Sequence, residues 1–257
     1  MEESKKVKVV ALSFIILVAA ALIIYFVFVR DSGSSPVDVP EAAVPEVTDE
    51  LSEEPSSVES DPVETILVAL DESDSLVRDL VGPLSSHPEL ARWLVTQDVI
   101  RKFVAAVDNI ANGHSPRQQI DFFNPQGEFS VREGASGFSV DAAAYTRYNV
   151  VADVFSSLDS KGTAQLYRQL SPSIQEAYKD LGYPEGKFHS TFMRAIDELL
   201  RVPVVAGDVM LEEKLKSFAM ADVELEAMSQ AQKHLFRMGP QNVRAIQSKL
   251  RELKALL

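Results

Sequence analysis

Apolar residues recur at intervals of three and four positions along most of residues 63–257, which is the spacing of an α-helix that buries one face. In LDESDSLVRDLVGPL, the N-cap candidates Asp71 and Ser73 precede the pattern and Gly82-Pro83 ends it, which predicts a first helix. Pro88 in HPELARWLV suits the first position of a second helix, where its missing N–H costs nothing.

The strongest helical pattern is TQDVIRKFVAAVDNIANG, which predicts a helix from a Thr96 cap to Gly113. Asp141 is the predicted cap of a further helix, whose apolar stripe contains Tyr145, Tyr148 and Phe155. This stripe is typical of a core, with a ligand platform as the alternative. Later helices are predicted to begin at about Ser160, Pro172, Lys187, Ser229 and Pro240.

The period changes to two in EFSVREGASGFSVD, where apolar and polar residues alternate on both sides of a turn at residues 134–137. This alternation predicts a β-hairpin. A second short extended region is expected within residues 204–220. The predicted fold class is therefore mainly α (α+β), with one compact helical domain over residues 63–257 and one or two small antiparallel β-hairpins.

An apolar run precedes this domain. Residues 9–29 carry no charge, and 15 of these 21 residues are Val, Leu, Ile or Phe. A helix of that length spans about 31 Å, close to the thickness of a bilayer core, which predicts a single-pass transmembrane helix. A cleaved signal peptide is the alternative, but its apolar core is usually about 7–15 residues long and ends at a small-residue site. This run ends in Phe28-Val29-Arg30-Asp31.

The basic residues near the run predict its orientation. Lys5, Lys6 and Lys8 precede it, and after Arg30 the next basic residue is Arg78. Because basic residues resist translocation, we expect residues 1–8 in the cytoplasm and the folded domain in the periplasm, at a bacterial inner membrane. The absence of cysteine is compatible with that compartment without requiring it.

Residues 30–62 are predicted to be a disordered, Pro- and acid-rich linker. Residues 31–62 contain ten acidic residues, five prolines and no Lys or Arg. A segment of this composition cannot bury enough apolar surface to fold. An acidic binding tail is the alternative interpretation. Residues 31–62 account for −10 of the chain's net charge of −13, and residues 63–257 have a net charge of only −5. This mild charge gives no general argument for binding nucleic acid or anionic lipid.

The sequence holds no arrangement that is typical of a catalytic or metal site. His87, His114, His189 and His234 lie far apart, and none has a second metal ligand three or four residues away. The chain has no Gly-rich phosphate loop after a strand, no G-x-S-x-G motif and no cysteine nucleophile. We therefore assign no catalytic residue and expect no metal ion and no cofactor.

Two groups of polar residues are weaker candidates. The acidic cluster around Asp71 and Asp74 has the paired carboxylates that glycan hydrolysis requires, but helix capping is the favoured explanation. Asp108 lies late in an apolar helix, and a contact with an arginine either organises a pocket or ties a loop to the helix. The polar-site candidates are Asp71, Asp74, Arg101, Asp108, Asn109 and Arg117.

The C-terminal stretch RMGPQNVRAIQSKLRELKALL is basic and opens with Gly239-Pro240. It resembles half of a helix-hairpin-helix motif, although the usual second glycine is missing. An apolar seam in the same helix packs either on the domain's own core or on a partner helix. The seam consists of Val243, Ile246, Leu250, Leu253 and Leu257.

The stretches LDESDSLVRDLVGPLSSHPELARWLV, RKFVAAVDNIANGHSPR and RMGPQNVRAIQSKLREL resemble a proteobacterial family of membrane-anchored proteins known only as domain of unknown function 3014. The resemblance covers nearly the whole chain, from a short N-terminal anchor through an acidic spacer to this domain. It implies a bacterial envelope protein and transfers no catalytic or binding residue.

These observations favour a non-enzymatic envelope protein that presents a helical interaction domain to the periplasm and binds a protein partner there. The chain is expected to be integral to the membrane, and self-association is an open alternative. A periplasmic hydrolase of cell-wall glycan is the second hypothesis. Nucleic-acid binding through the C-terminal basic helix is the third, and it requires the reverse membrane topology.

Overall fold

The computed structural model describes residues 65–123, 125, 127–215 and 217–257, without the side chain of Phe122. These residues belong to one unit, Val58–Leu257. The predicted cytoplasmic segment 1–8, transmembrane anchor 9–29 and linker 30–62 lie outside the described residues. No helix in the described ranges is both long enough and apolar enough to cross a bilayer.

The described chain is mainly helical, as the periodicity predicts. Three short 3-10 helices, at Leu70–Glu72, Gly82–Leu84 and Asp121–Phe123, supplement the α-helices. The α-helices are α1 (Ser73–Val81), α2 (Pro88–Trp93), α3 (Val99–Ala111), α4 (Ala142–Thr146), α5 (Asn149–Ser157), α6 (Ser160–Asp180), α7 (Phe188–Leu200), α8 (Val223–Glu226), α9 (Gln230–Phe236) and α10 (Pro240–Lys254).

The predicted hairpin is present, the expected extended region within residues 204–220 forms a second hairpin, and the two join into one antiparallel sheet. Its strands follow the order β1-β2-β3-β4, and Phe138 pairs with Leu211 where the hairpins meet. That junction was not predictable from the alternation within either hairpin. The strands are β1 (Val131–Gly134), β2 (Gly137–Val140), β3 (Met210–Lys214) and β4 (Ser217–Met220).

Several helix starts follow the local chemistry of their caps. Pro88 opens α2, and the Asp141 carboxylate accepts a hydrogen bond of 2.8 Å from the backbone N–H of Ala143 at the start of α4. Ser229 and Gln232 form a reciprocal capping box at α9. These starts are the predicted ones, because each cap uses residues within three positions of its helix.

The predicted cap of α3 is wrong. This helix begins at Val99, after Asp98 in the left-handed conformation with φ of 56°, and not at Thr96. Its first backbone N–H groups donate to the carboxylate of Asp74, at 2.9 Å from Asp98 and 3.0 Å from Val99. The cap is thus supplied by a distant residue in α1.

Two further helix predictions need correction. Pro172 does not begin a helix but lies inside α6, where burial of Ser173 and Ile174 in the interior holds the helix together across it. The Ser173 hydroxyl also bonds the backbone of Val68, 3.1 Å from its nitrogen. The stripe predicted after Asp141 divides into α4 and α5 instead of forming one helix.

Two large apolar clusters hold these elements together. The first lies between α1, α3, α6 and the start of α7, and it includes Val104, Leu170 and Phe188. The second lies between the sheet, α7, α9 and α10, and it includes Ile196 and Val243. A smaller cluster joins α2 to α5.

The C-terminal helix belongs to the second cluster. Val243, Ile246, Leu250 and Leu253 are buried in the domain's own interior, and Leu257 packs against the same cluster. The side-chain amide of Gln247 donates to three carbonyls at the end of α7, including that of Val202 at 2.9 Å. The apolar seam is therefore intramolecular and presents no free face to a partner helix.

Candidate functional site

Three of the six polar-site candidates, Asp71, Asp74 and Arg101, lie close together, and their contacts connect neighbouring helical elements. The Arg101 guanidinium lies 2.7 Å from the Asp71 carboxylate and 3.1 Å from that of Asp98. The hydrogen bond to Asp71, and next the one to Asp98, raise the pKa of Arg101 although partial burial opposes them. Asp74 meanwhile caps α3. Asp71, in the 3-10 helix before α1, and Asp74, in α1, thus both contact the start of α3.

The other three candidates do not assemble. Asp108 accepts a hydrogen bond of 3.4 Å from the Tyr183 hydroxyl and one of 3.1 Å from the Asn112 amide. None of the ion pairs in the described ranges joins Asp108 to Arg101 or Arg117. Asn109 contributes its backbone carbonyl to the turn that follows α3, at 2.8 Å from the His114 nitrogen. Arg117 points elsewhere, into a cleft.

That cleft consists of two adjoining cavities, of about 680 Å³ and about 400 Å³. We call them together the arginine cleft, because both are lined by Arg117, Arg147 and Arg237. Phe129 also borders both cavities. The larger cavity lies over the sheet, and its apolar wall is formed by Val140, Tyr145, Leu211, Phe218, Met220 and Phe236.

Each of the three arginines comes from a different connection between elements. Arg147 ends α4, where its Nε donates to the Ala144 carbonyl and its Nη1 to the Gly127 carbonyl, both at 3.0 Å. Its guanidinium also lies 5.3 Å from the centre of the Tyr148 ring. Arg237 caps the C-terminus of α9, and Arg117 follows the buried Pro116 in the loop after α3.

Within the part of the chain that the structure describes, no carboxylate pairs with Arg117, Arg147 or Arg237. Two carboxylates, Glu213 and Glu226, border the larger cavity, and neither pairs with these arginines; Glu226 instead contacts Lys233, at 2.9 Å, and the Met220 N–H, at 3.0 Å. These two hydrogen bonds lower the pKa of Glu226, with a smaller contribution from Arg237.

His234 lies beside the same guanidinium groups. It borders the smaller cavity, and its Nδ1 is 3.3 Å from the Ser115 hydroxyl. Burial first, and then the positive charges of Arg237 and Arg117, lower the pKa of His234. The ring is therefore neutral at pH 7. A cleft with clustered arginines and a titratable group of shifted pKa is a candidate binding site on physical grounds.

Residues 99–254 match the profile of a family described as "Protein of unknown function (DUF3014)". The chain belongs to this family. No curated protein and no solved structure matches it significantly.

The DUF3014 match runs from the start of α3 to the end of α10 and thus contains all three arginines of the cleft and His234. It leaves out Asp71 and Asp74. Of the cleft arginines only Arg117 was among the polar candidates. Arg147 has no local signature in the sequence, and Arg237 was recognised only as one of several basic residues near the C-terminus.

Most of those C-terminal basic residues have structural partners. Lys249 is buried, and its ammonium group contacts the Leu158 carbonyl, the Ser160 hydroxyl and the Glu252 carboxylate, each at 2.9 Å. Lys254 pairs with Asp197. The Gly239-Pro240 step also has a structural explanation, since Gly239 lies directly against the ring of Tyr145. Arg237 is the residue of this stretch that faces the cleft.

Proposed function

We propose that this protein is a non-enzymatic binding protein, tethered to a bacterial inner membrane, whose periplasmic domain receives an anionic ligand in the arginine cleft. The observation that carries the proposal is that Arg117, Arg147 and Arg237 border the same two cavities and that no carboxylate of the described residues pairs with them.

Three guanidinium groups repel one another, so an arrangement that gathers them favours an anion as their partner. Arginine offers planar pairs of N–H donors that match the two oxygens of a carboxylate or phosphate. Arg147 is held in place by its two backbone carbonyls and the Tyr148 ring, and is thereby preorganised for such a contact. The neutral His234 ring can add a hydrogen bond without adding charge.

The membrane part of the proposal is supported by the sequence. The uncharged run 9–29 has the length of a membrane span, and the lysines that precede it favour a cytoplasmic N-terminus. The acidic segment 31–62 would then act as a spacer between bilayer and domain. A reporter enzyme fused after Leu257 tests this topology, since periplasmic alkaline phosphatase is active only outside the cytoplasm.

The two rival functions have no supporting observation in the described residues. The hydrolase hypothesis depended on Asp71 and Asp74, whose carboxylates are occupied by Arg101 and by the first amides of α3. The nucleic-acid hypothesis depended on the C-terminal basic residues, of which Lys233, Lys249 and Lys254 form ion pairs within the domain.

Anion binding can be measured on the full chain in lipid nanodiscs. We expect citrate or inorganic phosphate to bind, in isothermal titration calorimetry, and Arg147→Gln to weaken binding at least about tenfold, because a charge-assisted hydrogen bond contributes about 1.5–3 kcal/mol. Arg244→Gln is the matched control, since Arg244 is an exposed arginine of α10 that borders none of the cavities described above. Equal binding by both variants would place the anion elsewhere.

A further inference from the structure

We infer that the ligand of the arginine cleft is an anionic amphiphile with a single short apolar chain, and that this chain occupies the apolar cavity next to the cleft. The inference rests on the proposed function, because it assigns a chemical class to the anion bound there.

The apolar cavity has a volume of about 210 Å³ and lies between α2, α5, α9 and α10. Its exposed lining is entirely apolar. It includes Trp93 of α2, Val151 and Val154 of α5, and Leu250 of α10. His234 is the one titratable residue along its border in the described chain. An apolar cavity of about 150 Å³ already accepts a ligand as large as benzene, so this volume suits a short hydrocarbon chain.

The apolar cavity adjoins the arginine cleft directly. The residues that border both this cavity and the smaller cavity of the cleft are Ile120, Phe123, Val151, His234 and Met238. From the arginine cleft to the neighbouring apolar cavity, the lining thus changes from three guanidinium groups, through the shared His234, to hydrocarbon. That sequence of surfaces matches a molecule with a charged head and an apolar tail.

Two other classes of ligand, a fully polar anion and a neutral apolar molecule, match these two surfaces less well. A compact, fully polar anion would contact the arginines and leave the hydrocarbon lining beyond His234 without a partner. A neutral apolar molecule would fill the apolar cavity and bring no negative charge to the guanidinium groups. A carboxylate or phosphate with a single apolar chain can contact both surfaces, with its head group at the arginines and its chain in the apolar cavity. Both kinds of molecule share an ionised head group.

The test is a chain-length series on the full chain in lipid nanodiscs, with acetate, hexanoate, octanoate and octyl phosphate as probes and 1-octanol as the neutral analogue. Trp93 is the only tryptophan of the chain and borders the apolar cavity, so its fluorescence reports occupancy locally, apart from partition into lipid. We expect affinity to rise about fourfold for each added methylene group until the cavity is filled. Octanoate and octyl phosphate should both bind more tightly than 1-octanol.

A blocking variant separates tail binding from head binding. Val151 is half-buried at the junction of the two cavities, so Val151→Phe should reduce octanoate affinity to that of acetate while citrate still binds. Val150→Phe is its control, because the neighbouring Val150 is 45% exposed and borders none of these cavities.

The outcomes distinguish the two proposals. If citrate binds but octanoate binds no better than acetate, the amphiphile inference is overturned and the anion-binding function stands. Equal binding of octanoate and 1-octanol also overturns the inference, since the head group is then not recognised. If neither citrate nor octanoate binds at the arginines, both proposals fail. An octanoate affinity that Val151→Phe abolishes and Val150→Phe preserves supports the inference.

Discussion

Gly239 lies directly against the ring of Tyr145, at the point where α10 begins. A Cβ atom added to Gly239 would lie 2.7 Å from the Cβ of Tyr145 and closer still to its ring, and the glycine has φ of 85° and ψ of 162°. Only glycine adopts this backbone conformation readily. The Gly-Pro step therefore sets the close packing of α10 on α4, and no phosphate contact is needed to explain it.

Gly239→Ala is expected to destabilise the domain, because it adds a steric clash with Tyr145 to backbone strain of about 1–3 kcal/mol. The matched control is Gly207→Ala, since Gly207 also has a positive φ, 104°, but an added Cβ there would meet nothing within 4 Å. Urea unfolding followed by Trp93 fluorescence gives both free energies. A loss at Gly239 no larger than that at Gly207 would rule out the Tyr145 contact as the cause.

Asp74→Ala is expected to lower the free energy of unfolding by about 1 kcal/mol, because it removes the cap of α3. Both oxygens of this carboxylate accept from backbone N–H groups, those of Asp98 and Val99. Asp79→Ala is the control, since Asp79 is an exposed aspartate of the same helix whose side chain has no hydrogen bond or ion pair among the described residues. Equal unfolding midpoints for the two variants would refute the capping role.

Lys249→Met is expected to destabilise the domain by about 2 kcal/mol, because it removes charge-assisted hydrogen bonds and leaves the Leu158 carbonyl without its donor. Lys249 joins α10 to the start of α6 through Ser160 and Glu252. Arg244→Met changes an exposed cation of the same helix and should have little effect. Thermal unfolding compares the stability of the two variants. A larger loss of stability in Arg244→Met than in Lys249→Met would contradict the role assigned to Lys249.

Stability should depend on pH through His234. Its pKa in the folded chain lies below the ordinary value of about 6.5, so the unfolded chain takes up a proton that the folded chain does not. The contribution of His234 to stability is therefore complete above about pH 6.5 and is lost as pH falls from there to the pKa of the folded state. In urea unfolding, His234→Gln should reduce the difference in stability between pH 7.5 and pH 5.5. A pH dependence that persists in His234→Gln would assign it to other groups.

The parts of the fold that were predictable from the sequence depend on residues close together in the chain. Pro88, Asp141 and Ser229 each act within their own helix start, and the alternation around residues 134–137 encodes a local hairpin. The cap of α3 was not predictable, because Asp74 lies 24 residues before Asp98 and nothing nearby specifies the contact. Likewise the continuity of α6 through Pro172 depends on burial, which outweighs the local preference.

The arginine cleft was predictable only in part, for the same reason. Arg117, Arg147 and Arg237 come from three separate connections that lie far apart in the sequence, and only the tertiary fold places them around one cavity. Each arginine taken alone resembles an ordinary surface residue. The polar candidates of the sequence instead include Asp71, Asp74 and Arg101, whose contacts join the first two helical elements to the start of α3.

The most direct test of anion binding observes the arginine side chains themselves. In two-dimensional NMR of the full chain with ¹⁵N-labelled arginine, the Nε–H signals can be assigned by Arg→Lys variants. Addition of octanoate or citrate is predicted to shift the signals of Arg117, Arg147 and Arg237 together, with one dissociation constant, and to leave that of Arg244 unchanged. Unchanged signals at the three cleft arginines, at anion concentrations that saturate binding in calorimetry, would contradict the account.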